Sequence, residues 1–188
     1  MQRKGIVMHI TTKHVSVVLC AAAVALTVQH AVAAVDDVGR NGFQVTEHVQ
    51  IAASPDRVYA ALIHPAHWWS SDHTYSHNAA NLTLDAKAGG CWCETMPDGG
   101  SVQHLVVVFA SPGKALRLRG ALGPLQGMAV DGALTVALKA DGAATDVQMT
   151  YAVGGYAKDG FDGISQAVDH VLGEQLASLK QSIETAKN

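Results

Sequence analysis

The tetrapeptide at 91–94, Cys-Trp-Cys-Glu, holds the side chains with the greatest chemical potential in this chain. Side chains alternate along a β-strand, so the two thiols are expected on one face and Trp92 and Glu94 on the other. A carboxylate in an apolar enclosure keeps its proton to a higher pH than in water and can then act as a general acid or base. Two interpretations of Glu94 are open: a group of this kind, or a strand-end carboxylate paired with Arg117 or Arg119.

The two thiols, Cys91 and Cys93, are predicted to be free and buried. Neighbours two apart on a regular strand rarely meet disulfide geometry, and a strained disulfide is the alternative. Zinc would suit cysteine and histidine ligands, yet Cys-x-Cys alone is a weak signature. The histidines form no stronger metal signature. His64 and His67 are separated by a proline, and the other spacings are not those of a metal site. We therefore predict no metal site.

Two adjacent tryptophans, Trp68 and Trp69, follow a helix break at His64-Pro65. A proline disfavours the helical conformation of the residue before it, so a short helix is expected to end there and a second one to begin. Tryptophan offers a large apolar surface with one hydrogen-bond donor, which serves either to fill a core or to stack on a ligand. Both interpretations are open for this pair.

The segment 121–132 is apolar yet rich in glycine, whereas an exposed connection is ordinarily polar. Its large apolar side chains, Leu122, Leu125 and Met128, are therefore expected to cover either the core or the mouth of a cavity. In the second interpretation the segment is a lid that moves at flexible points. Those points would be the three glycines Gly123, Gly127 and Gly132.

The remaining pattern predicts the elements that would position these side chains. Residues 42–52 alternate as a strand, Ser54 is typical of a helix N-cap, and Pro55 is typical of the first helical position. Alternating or β-branched runs separated by turn residues predict six further strands. They cover 81–84, 91–95, 102–109, 115–120, 133–138 and 146–153. Apolar residues three and four apart then predict a long amphipathic helix over 159–187.

Four segments of the chain resemble the SRPBCC superfamily, also known as START-like. They begin with Ser54-Pro-Asp-Arg, Ala88-Gly-Gly-Cys, Ser111-Pro-Gly-Lys and Ala144-Thr-Asp-Val. Within the superfamily, the chain is most similar to the branch of polyketide cyclase and lipid-transport proteins and of activators of the ninety-kilodalton heat-shock chaperone's ATPase. The resemblance implies the α+β helix-grip fold. This fold is a seven-stranded curved antiparallel sheet around a long C-terminal helix, with two short helices after strand 1.

The resemblance also implies a cavity between the sheet and the terminal helix, which inward side chains of both would line. In the family pattern the aromatic position after the Gly-Gly turn faces inward, which places Trp92 and Glu94 toward the cavity. If the cavity supports catalysis, Glu94 and His104 are the candidate acid and base groups. Ligand binding is predicted for six residues: Trp68, Trp69, Trp92, Leu122, Leu125 and Met128.

Residues 1–34 are predicted to be a signal peptide that precedes the domain. Three basic residues lie before an apolar run at 15–28, and small residues allow cleavage near Ala33/Ala34. The run is shorter than the roughly 20 residues of a membrane span, so no stable membrane anchor is predicted. The helix-grip domain then covers 35–188 in a secreted or periplasmic protein.

Charge argues against a nucleic-acid partner, and the absence of known motifs from the sequence argues against a cofactor. The chain has 13 basic and 16 acidic residues, and loss of three basic residues with the signal peptide would leave a formal charge of about −6. Nucleic-acid binding depends largely on cationic patches, so nucleic acid is not expected as a partner. The sequence has no nucleophile elbow, phosphate-binding loop or dinucleotide fingerprint, and no cofactor is predicted.

The leading hypothesis is an exported single-domain protein that binds a small hydrophobic or amphipathic molecule in the cavity. The sequence favours binding over catalysis and indicates no oligomeric state. One alternative is a cyclase- or hydratase-like enzyme that uses Glu94 and His104. The other is a module that binds a protein partner, as the chaperone activators do. Export argues against that partner, because the chaperone is cytosolic.

Overall fold

The computed structural model describes residues 1–2 and 34–186 of the 188-residue chain. Nearly all of the predicted signal peptide, and the last two residues of the chain, lie outside the described residues. None of the helices in these described ranges combines the length and the hydropathy of a membrane span. Export and the boundary of the signal peptide therefore stay predictions.

One antiparallel sheet of eight strands forms the body of the domain, in the order β1-β2-β8-β7-β6-β5-β4-β3. Its strands are β1 Ala34–Gly39, β2 Gly42–Ile51, β3 Leu82–Leu84, β4 Cys91–Thr95, β5 Ser101–Ser111, β6 Ala115–Gly120, β7 Ala129–Asp141 and β8 Ala144–Tyr156. The predicted count of seven is one short, because β1 adds an edge strand that pairs with β2. Adjacent Asp36 and Asp37 and a register shift remove the alternation that marks a strand in sequence.

The first helix begins and ends where local signals predict. The hydroxyl of Ser54 caps α1, Pro55–Leu62, by accepting a hydrogen bond from the backbone N–H of Arg57. The second predicted short helix is only a 3₁₀ turn, Pro65–His67. It ends after three residues because the following tryptophan leaves the helical conformation and its side chain enters the core.

The terminal helix α2, Asp162–Thr185, lies across one face of the sheet and contacts β1 and β2. It begins later than predicted because Gly160 has a left-handed backbone (φ +79°), which an α-helix does not continue. From Leu172 onward α2 buries an apolar stripe: Leu172, Leu176, Leu179 and Ile183. Apolar side chains before Leu172, such as Val168, are only partly buried.

Two glycines make room for side chains from a neighbouring element. Gly132 lies within β7, where an added Cβ would stand 2.6 Å from Cε2 of Tyr151. The apolar loop is therefore only 121–128, and Gly132 is not one of its flexible points. Gly173 of α2 lies over Glu47 of β2, where an added Cβ would stand 3.3 Å from Oε2. Close approach of helix and sheet accounts for this second glycine.

Candidate ligand-binding site

A cavity of about 440 Å³ opens between the first half of α2, the segment 69–75 and the loop 122–124. Its lining is mainly apolar, with aromatic side chains from the sheet and loops and aliphatic side chains from α2. Ile164, Val168, Val171 and Leu172 are the part of the α2 stripe that lines the cavity. The sequence predicted the stripe, but its period did not indicate which turns lie over a cavity. Cavities of this size and composition hold small organic molecules.

All three tryptophans of the chain form one aromatic cluster at the cavity wall. The rings of Trp69 and Trp92 meet edge to face with centroids 4.9 Å apart, and both side chains line the cavity. Trp68 packs behind them, 5.5 Å from Trp69 and 6.4 Å from Trp92, and is not part of the lining. Of the adjacent pair, one tryptophan faces the cavity and the other fills the core.

The loop 121–128 both covers part of the core and borders the cavity, the two roles that its composition suggested. Leu122 lines the cavity, together with the first turn of the loop. Leu125 is fully buried in the core, and Met128 packs against the core without lining the cavity. Only one of the three predicted side chains of this loop is therefore placed to touch a ligand.

Two tyrosine hydroxyls hold this loop in place. The hydroxyl of Tyr151 donates to the carbonyl of Gly120 (2.9 Å) and accepts from the N–H of Leu122 (3.1 Å). The hydroxyl of Tyr75 donates to the carbonyl of Gly123 (2.8 Å) and so joins the two loops that border the cavity. These bonds give the cavity a fixed wall before any ligand enters.

Glu94 is buried and accepts hydrogen bonds from three donors. They are the backbone N–H groups of Tyr75 (3.1 Å) and Ser76, and Nε2 of His104 (2.9 Å). Burial alone would raise the pKa of the carboxyl group, but hydrogen bonds from Ser76 above all, and then from Tyr75 and His104, outweigh it and hold the pKa below its usual value. Glu94 is therefore an anion at neutral pH, not the proton-retaining acid that the sequence suggested.

The arginine partners suggested for Glu94 lie elsewhere. Arg119 forms an ion pair with Asp131, and Nε of Arg117 donates to the hydroxyl of Thr135 (3.0 Å). Both arginine side chains are on the exposed face of β6, because the alternate residues of that strand are buried. The interpretation of Glu94 as an arginine-paired residue at a strand end is wrong.

His104 is the buried partner of the carboxylate and lines the cavity. Burial lowers the pKa of His104 below the usual value, and the hydrogen bond and charge of Glu94 offset only part of this effect. The neutral ring donates through Nε2, because the carboxylate has no proton to give. Nδ1 has no hydrogen-bond partner among the described residues, and the ring that carries it lines the cavity.

A β-bulge in β5 brings the side chains of Glu94 and His104 to the same face of the sheet. Trp92 pairs with Leu105 and Cys93 pairs with Gln103, so His104 is the extra residue of β5. In a regular strand His104 would point away from the buried Leu105, whereas here both side chains are buried. The bulge thus turns the imidazole toward the carboxylate.

The two cysteines form a disulfide, which contradicts the prediction of free thiols. Cys91 and Cys93 lie on the face of β4 opposite to Trp92 and Glu94, with their Cα atoms 5.4 Å apart. Neighbours two apart on a regular strand are about 6.6 Å apart, near the upper end of the disulfide range. The strand bends with its partner at the bulge, which brings the two cysteines together. The bond therefore clamps β4 at the position that holds Trp92.

The other histidines among the described residues lie outside the cavity interior. His73 pairs with Glu174 (3.2 Å) at the edge of the cavity, and His170 contacts the same carboxylate (3.3 Å). The rings of His64 and His67 are 5.8 Å apart. Within the described part of the chain, no group of three or more His, Cys, Asp or Glu side chains is arranged to hold a metal ion.

An antiparallel sheet packed on a long C-terminal helix, with a cavity between them, defines a helix-grip protein. The model of the polyketide cyclase/dehydrase and lipid-transport family matches residues 42–184, and the chain belongs to that family. The resemblance found in the sequence is thereby confirmed. A comparison with curated proteins found no match.

Several solved structures share the fold. Protein MLL2253 from Mesorhizobium loti is 15% identical with a TM-score of 0.57, over 77% of this chain and 99% of that chain. Protein EF2215 from Enterococcus faecalis is 14% identical with a TM-score of 0.56, over 80% and 77%. The Aha1 dimer from Colwellia psychrerythraea is 19% identical with a TM-score of 0.50, over 77% and 98%. At these identities the likeness shows the fold alone.

Proposed function

We propose that this protein binds a small apolar or amphipathic molecule in the cavity between the sheet and α2. The observation that carries the proposal is the apolar cavity of about 440 Å³, with Trp69 and Trp92 in its wall and His104 as a buried polar group. The family description, which includes lipid transport, supports a ligand of this kind.

The energetics favour occupancy of the cavity. Ile164, Val168 and Val171 keep part of their apolar surface accessible. A ligand that covers such surface gains about 25 cal/mol for each Å² removed from water. The tryptophan cluster and the tyrosine hydrogen bonds fix the wall in advance, so little ordering of the protein opposes binding.

Filling the cavity is expected to prevent binding. Val171→Phe places a ring in the space a ligand would use, and we expect it to weaken binding of N-phenyl-1-naphthylamine at least about tenfold, or ~1.4 kcal/mol. Binding is measured by energy transfer from the tryptophans to the probe. Val108→Phe is the matched control, because Val108 is exposed on β5 and does not line the cavity. No binding by the wild-type protein, or equal loss in both variants, contradicts the proposal.

Export is the second part of the proposal and rests on the predicted signal peptide. Fractionation of cells that produce the full chain, followed by the intact mass of the recovered protein, tests it. We expect a protein outside the cytoplasm whose first residue lies near Ala34. An uncleaved chain confined to the cytoplasm would contradict export and leave the binding proposal standing.

A second candidate function is acid–base catalysis on the bound molecule, favoured by the 2.9 Å contact between Glu94 and His104 at the cavity wall. Neutral His104 can take a proton at Nδ1 from a carbon next to a ketone, while Glu94 stabilises the resulting imidazolium. In a β-hydroxy ketone the released electron pair forms the new C=C bond as the hydroxyl leaves. The imidazolium returns its proton to that hydroxyl, and the products are an enone and water.

Catalysis of this kind is tested by the absorbance of the enone formed from a β-hydroxy ketone. We expect His104→Gln to slow the reaction at least about 100-fold, the usual contribution of a positioned base, while the naphthylamine probe still binds. A wild-type rate equal to that of buffer would exclude the catalytic candidate and leave the binding proposal intact. The partner-binding alternative stays a prediction.

A further inference from the structure

Resting on the proposed function, we infer that the bound molecule is an aromatic alcohol or enol whose hydroxyl donates a hydrogen bond to Nδ1 of His104. Nε2 of this ring is already engaged by Glu94 at 2.9 Å. Nδ1 has no hydrogen-bond partner among the described residues, and its ring is part of the cavity lining. The site therefore offers a buried nitrogen acceptor to a ligand.

The other polar side chains of the lining are committed or exposed. The hydroxyls of Thr74 and Tyr75 each donate to a backbone carbonyl at 2.8 Å. Asp72 and His73 are exposed at the edge of the cavity. Both hydroxyl oxygens keep lone pairs but no free proton, and His104 adds a buried ring nitrogen that likewise has a lone pair and no proton.

The two lining indoles offer no competing donor to the ligand. Trp69 Nε1 donates to a backbone carbonyl at 3.0 Å. Trp92 Nε1 has no partner in the described structure, but it is sealed from solvent within the aromatic cluster. A ligand that enters the cavity thus meets aromatic faces and edges, and its hydrogen bond goes to the imidazole.

The negative charge of Glu94 beside the His104 ring determines which polar group of a ligand can bind to Nδ1. Glu94 is an anion held by three donors, so it fixes the proton of His104 on Nε2. A ligand hydroxyl can donate to the bare Nδ1. A ketone or ether oxygen would leave that acceptor unpaired, and a carboxylate would also approach the negative charge of Glu94.

The surroundings of the imidazole favour a flat ligand body. The His104 ring lies 6.0 Å from the ring of Tyr75 and 6.4 Å from that of Trp92, measured between centroids. Trp69 stands edge to face against Trp92 in the same wall. Aromatic rings pack well in offset or edge-to-face contact with such neighbours.

Three probes of one shape but different polar groups test this assignment by calorimetry at pH 7.5: 2-naphthol, 2-methoxynaphthalene and 2-naphthoate. We expect 2-naphthol to bind at least about tenfold more tightly than either of the others, because only it pairs the buried acceptor. In His104→Phe the preference for 2-naphthol over 2-methoxynaphthalene should vanish. His67→Phe is the matched control, since His67 is exposed and outside the cavity.

A measurement on the unmodified protein keeps the test independent of variant folding. The ¹⁵N resonance of His104 Nδ1 should be that of an unprotonated nitrogen, and 2-naphthol should shift it whereas 2-methoxynaphthalene should not. Equal affinity for naphthol and its methyl ether, or a protonated Nδ1, overturns the inference while the proposed function stands. Failure of all three probes and of the naphthylamine probe to bind overturns both.

Discussion

Replacement of Glu47 by glutamine is expected to raise the free energy of unfolding at pH 9 by roughly 2 to 4 kcal/mol. Glu47 lies on β2 beneath α2 with no exposed surface, next to Asp169 of α2. Burial, then the charge of Asp169 and a hydrogen bond between the two side chains, and then the charge of Asp36 on β1, raise the pKa of Glu47 to about 8. Folding therefore favours the neutral form of Glu47, and ionisation of its carboxyl group lowers the free energy of unfolding.

The sign of the pH dependence follows from the raised pKa of Glu47. The stabilisation is complete below the unfolded pKa of 4.5 and is lost as the pH rises toward about 8. The loss has a limiting slope of about 1.4 kcal/mol for each pH unit. Glutamine has a similar shape and no ionisation, so most of this slope should disappear in Glu47→Gln. Urea unfolding at pH 5, 7 and 9 measures the effect.

Asp37→Asn is the matched control for the change of charge. Asp37 is an exposed carboxylate on β1, the same edge of the sheet. We expect this variant to keep the wild-type slope between pH 5 and pH 9. A Glu47→Gln protein that is less stable than wild type at pH 9, or that keeps the full slope, would contradict the assignment of a buried neutral acid.

Removal of the Glu94 side chain is expected to lower the free energy of unfolding by roughly 2 to 4 kcal/mol. Glu94→Ala leaves three donors without an acceptor: the N–H groups of Tyr75 and Ser76 and Nε2 of His104. The loop that carries Tyr75 should loosen, which amide hydrogen exchange at residues 75 and 76 would detect. Glu94→Gln retains one acceptor oxygen and should lose less stability.

The pH dependence of Glu94 has the opposite sign to that of Glu47. Its pKa is lowered in the folded protein, so its contribution is present above the unfolded pKa and is lost as the pH falls through the folded value. In Glu94→Ala the acid limb of the stability profile should become shallower. An unchanged acid limb and unchanged exchange at Tyr75 would show that the carboxylate does not hold this loop.

Local signals predicted most of the fold. Ser54 and Pro55 marked the start of α1, and turn residues separated the strands at the right places. The edge strand β1 was not predicted, because adjacent aspartates interrupt its alternation of apolar and polar residues. The helix-period stripe of α2 correctly indicated one long helix, because one apolar face covers the cavity in its first part and the core in the rest.

The geometry of the site was less predictable, because it depends on one irregularity. The bulge at His104 turns the imidazole inward and accompanies the bend that joins Cys91 to Cys93. A shift of one residue in register exchanges the faces of a strand, and composition does not encode such a shift. The direction of the pKa of Glu94 depends on backbone donors from a loop without periodicity, which only the fold brings into place.

A crystal structure of the protein purified without delipidation and then soaked with 2-naphthol tests the central claim most directly. We expect ligand density in the cavity between Trp69, Trp92 and Val171, with the ligand oxygen within hydrogen-bond distance of Nδ1 of His104. A cavity closed by α2, or density only at other surfaces of the protein, would contradict it.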